Sequence, residues 1–406
     1  MKKVSYAWIV RGCALACLAL AQGAVAGPEP VNVPDLMTTF KGEKVTTVEQ
    51  WEKVRAPELR AEFMREEYGR RPVERPKELS FAPAEPDAEM MDGKAIRKRV
   101  RVSYADKYGK GEFTFTAFIP KQQKPAPAFV LICNRPPDAN IDPTREKKSE
   151  FWPAEEIVAR GYAAIAFWNG DIAPDRSSGN RDGVFACFEA PDKGRAPDAW
   201  GTLSAWAWGA SRVLDWIETE PLLDAKHVAV VGHSRGGKTA LVAGVCDKRF
   251  AMACSNDSGC SGAKLNHIDL PKSEHLHQIV RTFPYWFCAN YIRHVNAEKE
   301  WNVDQHAFVA LMAPRLVCIA SASADAWAGQ EGEYWSGRLA SPAWELYGKK
   351  GLVGDKWPDP EKPQQEGCVS YHLRTGKHFL TPYDWDRYMD FADKHGWRSA
   401  NDRARK

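Results

Sequence analysis

The alternation of apolar and polar residues divides the chain into short strands and amphipathic helices. Between residues 47 and 72, Trp51, Val54, Leu59, Phe63 and Tyr68 recur at helical spacing, and the pattern stops before Pro72; this predicts a helical lead. The stretch "AIRKRVRVSYADKYGKGEFTFTAFIP" alternates with period two on both sides of a glycine-containing turn and predicts a hairpin. "APAFVLICN" and "YAAIAFWN" are short apolar runs suited to a sheet buried on both faces, and "FWPAEEIVARG" between them reads as a crossover helix. A long helix is predicted in "AWGTLSAWAWGASRVLDWIET", then a strand in "HVAVVG" and a helix from about Gly236. Further strands fall in "FAMACSN" and "RLVCIASAS", and the last helix in "PYDWDRYMDFADKHG". Strands alternating with helices predict an α/β fold with a mostly parallel central sheet between two helical layers.

Composition changes this picture only at the start of the chain. With 406 residues, 44% hydrophobic and 27% charged, there is material for a large globular core. A net charge of +3, without blocks of like charge, argues against a nucleic-acid partner. No mid-chain apolar run reaches the roughly 20 residues of a membrane span. The first residues, "MKKVSYAWIVRGCALACLALAQGAVAG", place Lys2, Lys3 and Arg11 before an apolar run that ends in Ala24-Val25-Ala26. This is the pattern of a cleaved signal peptide over residues 1–26, and it predicts export to the periplasm or outside the cell. Residues 27–406 are then expected to form one domain, with no membrane contact after cleavage. Of the ten cysteines, two leave with the signal, and Cys133, Cys246, Cys254 and Cys318 lie in apolar segments where cysteine packs as a small hydrophobe. No cysteine or histidine group has zinc spacing, so no metal is expected.

The candidate chemistry lies in "AVVGHSRGGKTAL". Gly232-His233-Ser234-Arg235-Gly236 fits G-x-S-x-G, and it stands between a predicted strand and a predicted helix, as a nucleophilic serine on a sharp turn requires. This context makes the plan that of an α/β-hydrolase. A nucleophilic serine needs a base, and the base needs a carboxylate to orient it. His378 falls between the last predicted strand and the last helix, where the base of this fold belongs, whereas His306 in "VDQHAF" precedes a core strand. Two aspartates stand at suitable strand ends, Asp257 after "FAMACSN" and Asp325 after "RLVCIASASA", and fold position favours Asp325.

The stretches "GHSRGGKTAL", "NDSGCSGAKL", "FPYWFC", "VDQHAFVALMAPRLVCIASASADAW" and "GKHFLTPYDWDRYMDFADKHG" resemble the glucuronoyl esterases of carbohydrate esterase family 15 over about residues 47–396. The resemblance implies hydrolysis of esters between 4-O-methyl-glucuronate groups of xylan and lignin alcohols, without cofactor, by a monomer. It implies Ser234 as nucleophile, His378 as base, and an oxyanion partly held by the Arg235 guanidinium. Lys238 is implied to bond sugar hydroxyls, and Trp327 to pack beside the uronate, with Glu274 and Gln305 as further candidate sugar contacts. The family places its acid at either of two strand ends; both are occupied here, with Asp257 where fungal members carry the longer glutamate. His233 stands where fungal members have a disulfide cysteine, and "AWAGQEGEYW" replaces the Asp-Pro that follows the tryptophan in many bacterial members. Another carbohydrate esterase, acting on acetyl or feruloyl xylan, is the alternative reading. A non-catalytic polysaccharide-binding protein on the same fold is the more distant one.

Overall fold

A computed structural model describes residues 32–177 and 180–398; the predicted signal peptide lies outside them. Nine strands form one sheet: β1 (Glu78–Met90), β2 (Ala95–Asp106), β3 (Gly109–Pro120), β4 (Ala126–Cys133), β5 (Ala163–Trp168), β6 (Leu223–His233), β7 (Met252–Asn256), β8 (Leu316–Ala322) and β9 (Val369–Arg374). Their order across the sheet is β1-β2-β3-β5-β4-β6-β7-β8-β9. From β5 to β9 every pairing is parallel, and β1, β2 and β3 extend the sheet antiparallel at one side.

The pleat explains how both faces are covered. Phe115 and Phe118 lie three apart on β3 and therefore point to opposite sides. Phe115 meets Trp216 of the helix Thr202–Ile217 at 5.0 Å between ring centroids, while Phe118 meets Trp152 at 5.5 Å on the other side. On that second side Phe129 of β4 packs against Tyr162 at 5.1 Å and against Trp385 of the closing helix Pro382–Lys394 at 6.0 Å. The all-buried pattern of β4, and of the helix Thr202–Ile217, follows from this central position. The order and layering are those of an α/β-hydrolase.

Two features depart from the sequence reading. β1 was not predicted, because Pro83 and Pro86 interrupt its alternation. It survives as an edge strand whose register shifts fall between Pro83 and Glu85 and between Glu85 and Ala88, where missing N–H donors are tolerated. The N-terminal helix contains a π turn over Trp51–Arg55 before continuing as Ala56–Glu66. The eight described cysteines are all free, seven of them buried, in keeping with the expectation for Cys133, Cys254 and Cys318; Cys246 is half-buried. No helix among the described residues is long and apolar enough to cross a membrane.

Candidate active site

Ser234 joins β6 to the helix Arg235–Cys246 with φ 58° and ψ −124°. An L-residue pays conformational energy there of order 1–3 kcal/mol, so the surrounding structure must hold it. The Ser234 N–H donates to the Asn256 carbonyl of β7 at 2.8 Å, and its own carbonyl receives the N–H groups of Gly237 at 2.8 Å and Lys238 at 3.1 Å. Gly232 is required by proximity: a Cβ at that position would collide with the Gly236 carbonyl as the chain turns back on itself. The N–H of Arg235 belongs to the first helical turn, where no intrahelical acceptor exists, and it is therefore available to an anion at the serine.

His378 stands on the loop after β9, and its Nδ1 lies 2.6 Å from Oδ2 of Asp325, the residue that follows β8 by three positions. Its ring is also 4.3 Å from that of His233, the immediate neighbour of Ser234. His233 is buried and bonds Asn256 through Nδ1 at 2.7 Å; burial, then the neighbouring His378, pushes its pKa well down, which keeps the ring neutral.

Asp257 is close but differently engaged. Its Oδ1 accepts the Ala322 N–H at 2.6 Å, and its Oδ2 lies 3.6 Å from Arg374 Nη2 and 3.8 Å from His233 Nδ1. Burial, reinforced by Glu333, Asp325 and Asp384, raises its pKa well above the carboxylate range against the pull of Arg374. Asp257, Asp325 and His378 present ligand-type atoms within 4.8 Å of one another. The 2.6 Å contact between Asp325 and His378 is a hydrogen-bond distance and already uses Nδ1 and one acid oxygen.

The Arg235 guanidinium is braced on two sides. One terminal nitrogen pairs with Asp175, and the guanidinium carbon lies 4.8 Å from the Trp286 ring and 5.4 Å from Phe283, rings that stack on each other at 3.9 Å. Asp175 also accepts from Tyr285 Oη at 3.0 Å and Trp286 Nε1 at 2.9 Å. Sequence reasoning missed Asp175: it lies 59 positions before Ser234 in a loop without a motif, and only the fold joins it to "FPYWFC".

The proposed sugar contacts separate into two groups. Trp327, just after Asp325, is 50% exposed, and its carbonyl receives the Glu274 N–H at 2.9 Å, so these two residues stand together beside Asp325. Burial raises the Glu274 pKa, partly offset by Lys238 and Lys264. Lys238 is only 4% exposed and donates to the carbonyls of Ser258 and Cys260, the latter at 2.7 Å, which commits two of its three protons to the loop after β7. Gln305 is the correction. It is fully buried, its amide donating to both Glu67 oxygens at 3.1 and 3.0 Å, so it ties the N-terminal helix to the interior and does not face a sugar. His306 is likewise internal, bonding the Pro34 carbonyl through Nε2 at 3.0 Å.

Comparison with known proteins agrees with this geometry. Residues 102–348 match the family described as glucuronyl esterase, fungi. The chain is 35% identical over 396 residues to the carbohydrate esterase MZ0003 from an unknown prokaryotic organism, covering 90% of this chain and 89% of that one. It is 28% identical over 364 residues to the 4-O-methyl-glucuronoyl methylesterase of Thermothelomyces thermophilus, covering 84% and 81%. The solved glucuronoyl esterase from Solibacter usitatus superposes with a TM-score of 0.83 at 32% identity, covering 92% of this chain and 99% of that one. A strained serine turn, a histidine–aspartate pair beside it and these likenesses lead to one conclusion: the chain belongs to the glucuronoyl esterases of carbohydrate esterase family 15, carboxylic ester hydrolases of the α/β-hydrolase fold.

Proposed function

We propose that the protein hydrolyses 4-O-methyl-glucuronoyl esters, of the kind that join glucuronoxylan to lignin alcohols, through an acyl-enzyme on Ser234. The observation that carries this reading is the Asp325–His378 hydrogen bond beside the Ser234 turn. Asp325 holds Nδ1–H of His378, which leaves Nε2 free to take the Ser234 proton as Oγ bonds to the ester carbonyl carbon. The resulting oxyanion is met by the Arg235 N–H and guanidinium. Collapse breaks the carbon–alkoxide bond, and His378 returns the proton to the leaving alcohol. Water, deprotonated by His378, then attacks the acyl-enzyme and releases the uronate and Ser234. Trp327 and Glu274 flank the sugar, and the third Lys238 proton serves a sugar hydroxyl. Export through the N-terminal segment brings the enzyme to polymeric substrate outside the cytoplasm.

Hydrolysis of benzyl glucuronate and of acetyl-xylan by the wild type and by Ser234→Ala tests the reading. Cleavage of the glucuronate ester that disappears in the variant is the expected result. Cleavage of acetyl-xylan alone would overturn it in favour of the other carbohydrate esterase.

A further inference from the structure

The catalytic scheme leaves one cation at the site without a task. Arg135 follows β4 by two residues, and β4 and β8 lie on opposite sides of β6 in the sheet. The loop carrying Arg135 and the loop carrying Trp327 therefore stand on opposite flanks of Ser234. The Arg135 guanidinium carbon lies 5.0 Å from the Phe151 ring and 4.7 Å from the Phe379 ring, two rings that meet edge-on at 5.6 Å. Phe379 is the next residue after His378, and Phe151 stands 5.8 Å from the His233 ring that touches His378. The two phenyl groups thus fasten Arg135 beside the catalytic histidine.

Its charge is uncompensated. Arg235 is paired with Asp175 and Arg374 with Asp384, but among the described residues Arg135 has neither a carboxylate nor a hydrogen-bond acceptor. Its Nε is buried without a partner, while its terminal nitrogens reach solvent. Burial and the like charge of Arg235 both work against its protonated form. A neutral ligand leaves that cost in place, whereas a carboxylate relieves it by accepting from the planar guanidinium fork. The uronate brings no such anion before cleavage, because its carboxyl is esterified. Apart from the transient oxyanion, which Arg235 meets, a negative group can come only from the other side of the bond.

We propose that Arg135, backed by Phe151 and Phe379, forms an anion-recognising subsite on the alcohol side of the scissile ester, selecting glucuronate esters whose alcohol bears a carboxylate. The inference rests on the glucuronoyl esterase reading and on the sugar lying toward Trp327.

The test compares benzyl glucuronate with its 4-carboxybenzyl counterpart, which differs in one carboxylate. For the wild type, kcat/KM is expected to favour the carboxylated ester by about tenfold at low salt and by less at high salt, as for a partly exposed charge-assisted bond. Arg135→Gln brings the ratio to about one, and Arg135→Lys keeps part of the preference. A ratio near one in the wild type overturns the proposal. So does a ratio that Arg135→Gln retains while both rates fall together, since that places the arginine on the oxyanion common to both esters. Binding of 4-carboxybenzyl alcohol against benzyl alcohol to Ser234→Ala, followed by calorimetry, reads the same contrast without turnover. Loss of benzyl glucuronate cleavage would count against the esterase reading, and loss of the contrast in binding against the subsite.

Discussion

Nδ1 of His378 is 2.6 Å from Oδ2 of Asp325, while Asp257, grouped with them only within 4.8 Å, gives its Oδ1 to the Ala322 N–H. The two aspartates thus have different hydrogen-bond partners. Asp325→Asn leaves His378 in the wrong tautomer and is expected to lower kcat by about 10³–10⁴-fold. Asp257→Asn keeps an acceptor for the Ala322 N–H and is expected to cost less than about tenfold, on the scale of a lost neighbour to the pair. Steady-state kinetics of both variants on benzyl glucuronate checks the order; an inverted order would assign the triad acid to Asp257.

Arg235 and Asp175 form a second pair whose members are separable by kinetics. Arg235→Ala removes a cation from the oxyanion and is expected to lower kcat by about 10²–10³-fold. Asp175→Asn leaves a single acceptor oxygen, for either Arg235 or the Tyr285 and Trp286 pair, and loses the ion pair; it is expected to lower kcat by about tenfold with little change in KM. A KM effect without a kcat effect would move Asp175 from oxyanion positioning to substrate binding.

The stability of the fold is expected to depend on pH through a carboxyl group on the N-terminal segment. Glu67 is fully buried among Gln305, Tyr68 and Tyr291, and burial pushes its pKa from an ordinary 4.5 to about 8. Between these values the native state holds a proton that the unfolded chain has lost, so stability falls as pH rises, by up to about 1.4 kcal/mol per pH unit. Glu333, pushed by burial to about 7 and held by the Ser258 and Ser321 hydroxyls, acts in the same direction. Urea unfolding at pH 5 and pH 8 is expected to show the loss, and Glu67→Gln to flatten part of it.

Phe129 tests the core. It is fully buried on β4 and packs against Tyr162, Trp385 and Trp397, so Phe129→Ala is expected to cost about 3–5 kcal/mol of unfolding free energy. A loss below about 1 kcal/mol would mean that the closing helix repacks into the space, because the residual cavity sets the cost.

What the sequence made legible was local. The strand–turn–helix context of Ser234 is contained in a dozen consecutive residues, so motif and fold plan were readable together. β1 was hidden because its two prolines break the period-two pattern, and only its edge position makes them harmless. Asp175 was hidden because its meaning depends on Arg235 and Trp286, both more than fifty positions away. Gln305 shows the opposite error: a polar residue near site motifs was read as a sugar contact, although its partner Glu67 lies on the N-terminal segment and draws it inward. Strand-end chemistry is written locally, and buried polar pairing is not.

The eight free cysteines bear on how the protein matures. Its thiols are largely sealed within the packed layers, and no cross-link among the described residues has to form before the core closes. Refolding of the described domain is therefore expected to need neither an oxidant nor a disulfide isomerase. Activity is accordingly expected to be indifferent to a reductant added during refolding.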